Sequence, residues 1–530
     1  MKTNFRNMFG AAAVSACLLL AGCGSSASAS ASSAPASSSA AAAATDTINI
    51  ELTTAPVGLH PLKTNDSPSQ YINNQIYETL YNRTTDGTSY EPLLAADMPT
   101  YSDDGLTATI KLREGVKFTD GTDFTADAVA YMIDSLKDEN YGSQRPSIVE
   151  SITDYTIVDD HTIELHLAYA DGVLVAKLAH SNGAIVNPAA DKAQDLLVDP
   201  TGAGTGAYKY VSSTSGSNYV LEANEDYWGG APEIKTLNYD VVADEATAVA
   251  RLQTGEADFY PTISADSFGT AAQISGYTAV SEESSSIYYF AQRSTADTAA
   301  NSLMANKDFR KAIFEAIDTQ TYVDSVMEGK ATFVKSVVGP TLIGYTSAMD
   351  DSYIGYNLDD AKKIIDDNGW SGQTITMLVS TREWQQTVAA YVQDSLSQIG
   401  ITVNVVSEEW ATFLSDAKND KSFDLTILSW SNVTGDGQQM LEPNFSTKNG
   451  TRVKYNNADF DAAVDASAKT TVLEDRQAAM LEAVTMIQGD AVVTPLYSAN
   501  ANYVYNSAKF DNVKLDKGGE FAVKDFTIVK

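Results

Sequence analysis

Alternation of polar and apolar residues marks the first predicted strands of the chain. Positions 47–52 read Thr-Ile-Asn-Ile-Glu-Leu, so every second side chain is apolar. This pattern is typical of a β-strand with one buried face. Positions 106–112 repeat it, and the pairs Glu114-Gly115 and Asp120-Gly121 then mark turns. We therefore predict two strands, the second followed by a turn-rich connection.

Predicted helices, indicated by the helical spacing of apolar residues, lie between such strands along the chain. One predicted helix follows Thr125, a residue that can cap it. A second helix is predicted after a cap at Asp308, and a third spans 385–399, ends at Gly400 and leads into a strand. Because strands and helices alternate, we expect the α/β class. The apolar face of the first helix consists of Val129, Met132, Ile133 and Leu136.

Length and charge limit the classes of protein that fit. The chain has 530 residues, of which 44% are apolar, so a disordered or fibrous chain is excluded for most of it. At about 100–200 residues per domain, it is long enough for two to four packed units. Its 69 acidic and 35 basic residues give a net charge of −34. We expect no nucleic-acid partner, because phosphate binding requires clustered lysine and arginine.

The N-terminus carries the features of an export signal. A basic start precedes an apolar run over positions 8–20, and small residues precede Cys23. The segment Leu20-Ala21-Gly22-Cys23 resembles the lipobox of bacterial lipoproteins. The resemblance implies a signal peptide over 1–22, diacylglycerol on the Cys23 sulfur and a further acyl chain, such as palmitate, on the new N-terminus. The alternative is an ordinary signal peptide with a chance cysteine.

A Ser- and Ala-rich segment over 23–45 follows this signal. Its composition cannot form a packed core, and a flexible tether of this length reaches roughly 25 Å. No later stretch has the 18 or so apolar residues that a transmembrane helix requires. We therefore expect a globular body tethered by lipid to the outer face of the bacterial cytoplasmic membrane, either periplasmic or at the cell surface.

Motifs of catalysis are missing from the sequence. It contains no HExxH, no P-loop and no GxSxG. His161 and His166 lie on one predicted strand but on opposite faces, so they cannot share a metal ion. The glycine-rich run 202–206 leads into a strand, not into the helix of a nucleotide site. We expect no catalytic residue, metal or cofactor, although paired carboxylates leave no signature in spacing and a secreted acidic hydrolase stays an alternative.

Three of the five tryptophans lie late in the chain, next to charged residues. Trp384 follows Arg382, and Trp410 and Trp430 lie at predicted element boundaries, with Asp436 shortly after. Cleft residues of α/β folds concentrate at such boundaries. These residues are candidates for a binding cleft, and packing in a core is the alternative for each tryptophan.

Several segments together resemble the signature of family 5 solute-binding proteins, which are the oligopeptide and dipeptide receptors of ABC importers. The matches occur in family order from about position 50 to 500, and their joint order is more specific than any one of them. The matching segments are 102–121, 124–129, 204–208, 224–230, 251–258 and 309–318.

The resemblance implies a two-lobed, periplasmic-binding-protein-like α/β fold with an extra subdomain inserted in the first lobe. It also implies a monomeric, non-catalytic receptor that captures peptides and delivers them to ABC permease subunits. The same role for a nickel chelate, haem or an oligosaccharide is the alternative, because a fold does not determine its ligand. The implied parts are a first lobe over 46–75, 191–285 and 505–530, an inserted subdomain over 76–190 and a second lobe over 286–504.

The resemblance also assigns ligand-binding residues. Trp410 and Trp430 match cleft tryptophans of the oligopeptide receptors, whose ligand ammonium is bound by an aspartate three residues after the second tryptophan. That position is Val433 here. The nearest acidic residue is Asp436, in a Thr-Gly-Asp run that some family members have at this longer spacing, so Asp436 is the candidate. Arg382 falls near the place where dipeptide receptors hold the ligand carboxylate. The assigned residues are Asp436, Trp410, Trp430, Arg382 and Trp384.

Overall fold

A mixed β-sheet organises the part of the chain that the structure describes. The computed structural model describes residues 46–327, 329–418, 422–448 and 453–530. The predicted signal peptide, the tether and Cys23 lie outside these residues. Among the described helices, none is both long and apolar enough to cross a membrane.

The bounds of the elements follow the predicted alternation. The strands are β1 Thr47–Leu52, β2 Tyr81–Arg83, β3 Tyr90–Pro92, β4 Thr100–Tyr101, β5 Thr107–Lys111, β6 Ile152–Asp159, β7 Thr162–Leu167, β8 Tyr208–Thr214, β9 Asn218–Ala223, β10 Thr236–Val241, β11 Phe259–Tyr260, β12 Thr278–Gln292, β13 Ala331–Thr332, β14 Thr374–Ser380, β15 Thr402–Glu408, β16 Leu425–Ser431, β17 Val493–Tyr505, β18 Phe510–Asp511 and β19 Thr527–Ile528. The helices are α1 Ser67–Ile76, α2 Ala126–Lys137, α3 Leu174–Leu178, α4 Pro188–Ala193, α5 Glu245–Thr254, α6 Ala265–Ala271, α7 Lys307–Glu315, α8 Thr319–Val326, α9 Leu358–Asp367, α10 Glu383–Ser397, α11 Trp410–Lys418, α12 Gly437–Phe445, α13 Ala458–Ala468 and α14 Leu473–Gly489.

The large sheet has the strand order β15-β14-β16-β12-β17-β11-β1-β10-β9-β8, and β13 pairs with β17. At one end β14 runs parallel to both β15 and β16. Toward the other end β1 runs parallel to β10 and β11. The two long antiparallel strands β12 and β17 lie between these groups. A separate sheet has the order β4-β5-β7-β6.

Three large hydrophobic clusters and one smaller one lie within the part of the chain that the structure describes. The N-terminal core is built from buried residues of the segment 48–239, with Phe259 and residues of 503–526. The other two large clusters lie within 287–497, and we name them after helices that pack in them, the α10 core and the α14 core. On β12, Ile287 and Tyr289 belong to the α14 core while Phe290 belongs to the α10 core. Alternation along the strand therefore separates these two cores onto opposite faces of the sheet.

Several local predictions agree with these elements. Thr125 occupies the N-cap position of α2, although its side chain makes no capping hydrogen bond, and α10 matches the predicted third helix to within two residues. The predicted cap at Asp308 is wrong. Asn306 caps α7 because its side-chain oxygen accepts hydrogen bonds from the backbone N–H groups of Asp308, at 2.8 Å, and of Phe309, at 3.4 Å.

An irregularity interrupts the pairing of the two long strands. Glu283 pairs with Asn500, and the next regular pair is Ile287 with Ser498. Residues 284–286 of β12 therefore lie opposite the single residue Ala499. Such an insertion disrupts the ladder and bends the strand. It lies at the boundary between the N-terminal core and the α14 core.

Candidate functional site

The predicted site residues collect at one edge of the large sheet. Arg382 and Trp384 come just after β14, Trp410 comes just after β15, and Trp430 lies near the end of β16, ahead of Asp436. Because β14 is parallel to β15 and β16, the carboxyl ends of the three strands meet at this edge. Ligands of α/β proteins bind in the crevice outside the carboxyl ends of parallel strands.

A cation–π contact fixes one side of this edge. The Cζ atom of Arg382 lies 3.6 Å from the ring centroid of Trp410. The Trp410 ring in turn stacks on the buried ring of Phe413, with 5.5 Å between centroids. Arg382 itself is exposed. A guanidinium held in this way over an aromatic face keeps its charge at this edge of the sheet.

The structure does not bring the three tryptophans into one cluster. Trp410 and Trp430 pack against the α14 core, whereas Trp384 packs against the α10 core on the opposite face of the sheet. There its ring meets Tyr288 edge-on, at 4.9 Å, and Tyr288 stacks on Tyr497 at 4.5 Å. Burial raises the pKa of the Tyr288 phenol, with Ser429 and Arg382 opposing the shift. Tyr288 and Tyr497 were not among the site residues that the sequence predicted.

Asp436 is buried and only half satisfied. It is 1% exposed and caps α12, its Oδ1 accepting a hydrogen bond from the Gln438 backbone N–H at 3.0 Å. The same Oδ1 accepts from Nη2 of Arg476 at 2.7 Å. Among the described residues, no group donates a hydrogen bond to Oδ2 of Asp436. The carboxylate therefore has one oxygen committed to the fold and one buried oxygen that no described group hydrogen-bonds.

Arg476 is the residue that keeps Asp436 in place. Its Nε donates to the carbonyl oxygen of Ser467 at 2.9 Å, so the guanidinium joins α14 to the end of α13 and to α12. Burial acts to lower the pKa of Arg476, but the Asp436 carboxylate raises it above the usual value. Arg476 was not among the predicted site residues. It lies 40 residues from Asp436 along the chain, and a pair so far apart produces no local sequence pattern.

The histidines do not form a metal site. The prediction that one strand carries both His161 and His166 is wrong for His161, because β7 begins at Thr162 and carries only His166. Within the ranges that the structure describes, no group of three or more His, Cys, Asp or Glu side chains could hold a metal ion. His60 is buried, and its Nε2 lies 3.1 Å from Oδ1 of Asp191 and 3.0 Å from the Tyr141 hydroxyl. These residues are far along the chain from the predicted site residues, and their hydrogen bonds belong to the packing of the segment 60–191.

Comparisons with known proteins place this geometry in a family. The model of the bacterial extracellular solute-binding proteins, family 5 Middle, matches residues 89–452. The chain is 26% identical over 428 residues to oligopeptide-binding protein AppA of Bacillus subtilis, covering 77% of each chain. It is 27% identical over 454 residues to glutathione-binding protein GsiB of Salmonella typhi, covering 83% of this chain and 86% of that protein.

Solved structures have the same fold. HbpA2 from Haemophilus parasuis superposes with a TM-score of 0.82 at 22% identity, covering 91% of this chain and all of its own. This likeness shows the predicted α/β fold of the two-lobed binding proteins. The family model matches more than half of the residues. The chain therefore belongs to family 5 of the bacterial extracellular solute-binding proteins.

Proposed function

We propose that the chain is an extracytoplasmic receptor that captures peptides and delivers them to the permease of an ABC importer. The observation that carries the proposal is the buried Oδ2 of Asp436, which no described group hydrogen-bonds. A peptide's α-ammonium is a strong donor to such a carboxylate, since charge-assisted hydrogen bonds are about twice as strong as neutral ones. A buried acceptor left without a donor is costly, so a ligand that supplies one is bound favourably.

Other features of the edge suit the remainder of a peptide. The rings of Trp410 and Trp430 offer apolar surface for side chains, and the exposed guanidinium of Arg382 offers a site for a carboxylate. The relatives AppA and GsiB are named for binding oligopeptides and glutathione. The alternative cargo is a nickel chelate, haem or an oligosaccharide on the same fold.

The division into lobes is part of the proposal. The first lobe comprises 46–75, 191–285 and 505–530, the inserted subdomain 76–190, and the second lobe 286–504. The separation of the N-terminal core from the α10 and α14 cores supports the boundary of the second lobe, whereas the first lobe and the inserted subdomain share the N-terminal core. The insertion at 284–286 lies where the hinge between two such lobes is required. We further propose that the chain acts as a monomer without catalysis, anchored through lipid on Cys23.

The ligand class can be tested directly. We expect mass spectrometry of the native protein, purified without denaturation, to detect a bound peptide that is released on unfolding. Detection of a metal chelate, haem or an oligosaccharide in stoichiometric amount would contradict the peptide proposal and support the alternative.

The role of Asp436 is tested with the peptide so identified and with its N-acetylated form. Asp436→Asn keeps an oxygen that can cap α12 but removes the charge that would face the ammonium. Loss of one partner of a buried charge pair costs roughly 2–5 kcal/mol, so calorimetry should show the free-amine peptide bound about 30-fold more weakly or worse.

The N-acetylated peptide serves as the control for this measurement. It lacks the ammonium, so its affinity should be nearly the same for the wild type and for Asp436→Asn. Asp244→Asn is the matched variant, because Asp244 also caps a helix, by accepting from the Thr247 N–H, at an exposed site on α5. Equal loss of affinity for both peptides would show that Asp436 shapes the loop and does not bind the amine.

A further inference from the structure

Arg83 joins three segments around the insertion in β12. It is the last residue of β2 and only 6% exposed. Its Nη2 donates to the carbonyl oxygen of Thr341 at 2.7 Å and to that of Gly87 at 3.4 Å. Its Nη1 lies 3.5 Å from the hydroxyl of Ser285, inside the insertion. β2 packs with the N-terminal core and the segment after Thr341 with the α14 core, so this guanidinium bridges the two.

The hairpin of β2 and β3 also touches the loop that carries Asp436. The Tyr90 hydroxyl, on β3, donates to the carbonyl oxygen of Thr434 at 2.7 Å. The Arg83 guanidinium lies directly on the backbone of Gly435, where a Cβ atom would be 2.1 Å from Nε of Arg83. Gly435 also has φ +75°, in the left-handed region. Glycine at 435 is thus required both for its conformation and for this contact.

A third contact between the two cores involves Gly172. The backbone N–H of Gly172 donates to the carbonyl oxygen of Ala468 at 2.7 Å. Gly172 precedes α3, whose Leu174 packs in the N-terminal core, and Ala468 ends α13, which packs in the α14 core. A Cβ atom on Gly172 would lie 1.9 Å from the carbonyl oxygen of Thr470. The N-terminal core and the α14 core therefore approach each other here at a distance that only glycine permits.

We propose that Arg83, Tyr90 and Gly172 form a clasp that holds the N-terminal core against the α14 core. All three residues bridge the two cores, and Arg83 also approaches Ser285 on β12. A movement of the two cores away from each other would break these contacts.

The chemistry of the clasp makes it reversible. Three of its contacts are hydrogen bonds to backbone carbonyl oxygens, those of Thr341, Thr434 and Ala468. Water replaces these bonds when the cores separate, so the net gain from each is smaller than its strength in isolation. Thr434, Gly435 and Asp436 are consecutive, so release of the clasp also removes the contacts of Tyr90 and Arg83 with the loop that carries Asp436. This inference goes beyond the proposed function and does not depend on the identity of the ligand.

Gly172→Ala tests the clasp with a change that acts only when the cores touch. The φ of Gly172 is not in the left-handed region, so alanine suits its backbone once the contact is broken. Spin labels on cysteines introduced at exposed Lys137, on α2, and Asp475, on α14, measure the distance between the cores. The full chain is unfolded, dialysed and refolded to remove any ligand. We expect a longer and broader distance distribution than in the wild type.

Gly269→Ala is the matched control, since a Cβ atom on Gly269 would meet nothing within 4 Å. It should leave the distance distribution unchanged. A wild-type distribution in folded Gly172→Ala would overturn the proposal, because the contact would then not restrain the cores.

A second variant tests the clasp even if Gly172→Ala does not fold. Tyr90→Phe removes one hydroxyl from the clasp and leaves Gly172 intact. If the contacts act together, hydrogen exchange at the Gly172 amide should become faster in Tyr90→Phe than in the wild type. Tyr155→Phe is the control, because the Tyr155 hydroxyl donates to Asp134 at 2.9 Å away from the clasp. Equal exchange at Gly172 in the wild type and both variants would overturn the proposal.

Discussion

Glu51 is a buried carboxylic acid on β1 with one unused oxygen. It is 1% exposed, and its Oε1 accepts a hydrogen bond from Nε of Arg251 at 2.7 Å. Among the described residues no group donates a hydrogen bond to its Oε2. Burial raises the pKa of Glu51 from the ordinary value of 4.5 to about 7, with the Arg251 hydrogen bond and charge opposing the shift. The folded state therefore binds a proton that the unfolded state releases.

This shift predicts a pH-dependent effect of Glu51→Gln on the free energy of unfolding. A carboxyl group whose folded pKa is raised loses stability as pH increases from the unfolded pKa to the folded one. The wild type should lose up to about 3 kcal/mol from this group between pH 4.5 and 7. Urea unfolding of both proteins at pH 5 to 8 should therefore show Glu51→Gln gaining stability relative to the wild type as pH rises.

Glu256→Gln provides the comparison for that experiment. It also removes a carboxylate near Arg251, but Glu256 is 64% exposed and lies 3.9 Å from Nη1. A stability difference between Glu51→Gln and the wild type that stays constant with pH would contradict the raised pKa of Glu51.

At the scale of elements, the glycine-rich run 202–206 packs against the end of α1. The backbone N–H of Gly206 donates to the carbonyl oxygen of Ile76 at 2.9 Å. A Cβ atom on Gly204 would lie 1.9 Å from that same oxygen. The run leads into β8, as the sequence predicted. These glycines therefore serve a close approach between a helix end and a loop.

Gly204→Ala should destabilise the fold through this contact. The φ of Gly204 is not in the left-handed region, so the cost arises from displacing the helix end, by about 1–3 kcal/mol as for overpacked sites. Urea unfolding measures it. Gly489→Ala, where a Cβ atom would meet nothing within 4 Å, should show no comparable loss. Equal stability of Gly204→Ala and the wild type would show that the helix end moves at no cost.

At the scale of the whole molecule, Cys23 is predicted to be the single link to the membrane. Cys23→Ala should release the protein into the periplasm or the medium with its fold intact. Fractionation after a high-salt wash, followed by circular dichroism of the soluble protein, measures both properties. An exposed lysine variant such as Lys363→Ala controls for a general effect of substitution, since Lys363 is 68% exposed. Retention of Cys23→Ala on washed membranes would contradict lipid anchoring.

The sequence by itself determined the class of fold and the family. Strand β1 and helix α2 follow from spacing, because burial on one face imposes a period of two on strands and 3.6 on helices. The ordered family segments identified the family over most of the chain. Capping at α7 shows the limit of local inference. Asn306 and Asp308 are both suitable N-cap residues by type, but in the fold it is Asn306 whose side chain accepts the capping hydrogen bonds.

Only the tertiary structure decided which side chains meet. It placed Trp384 on the α10 side of the sheet and Trp410 on the α14 side, although the two positions looked alike in sequence. It paired Asp436 with Arg476, which makes the aspartate a structural residue as well as a ligand candidate. It also set Gly172 against Ala468. Contacts between residues so distant along the chain leave no periodicity, because they depend on how whole elements pack and not on the local pattern of burial.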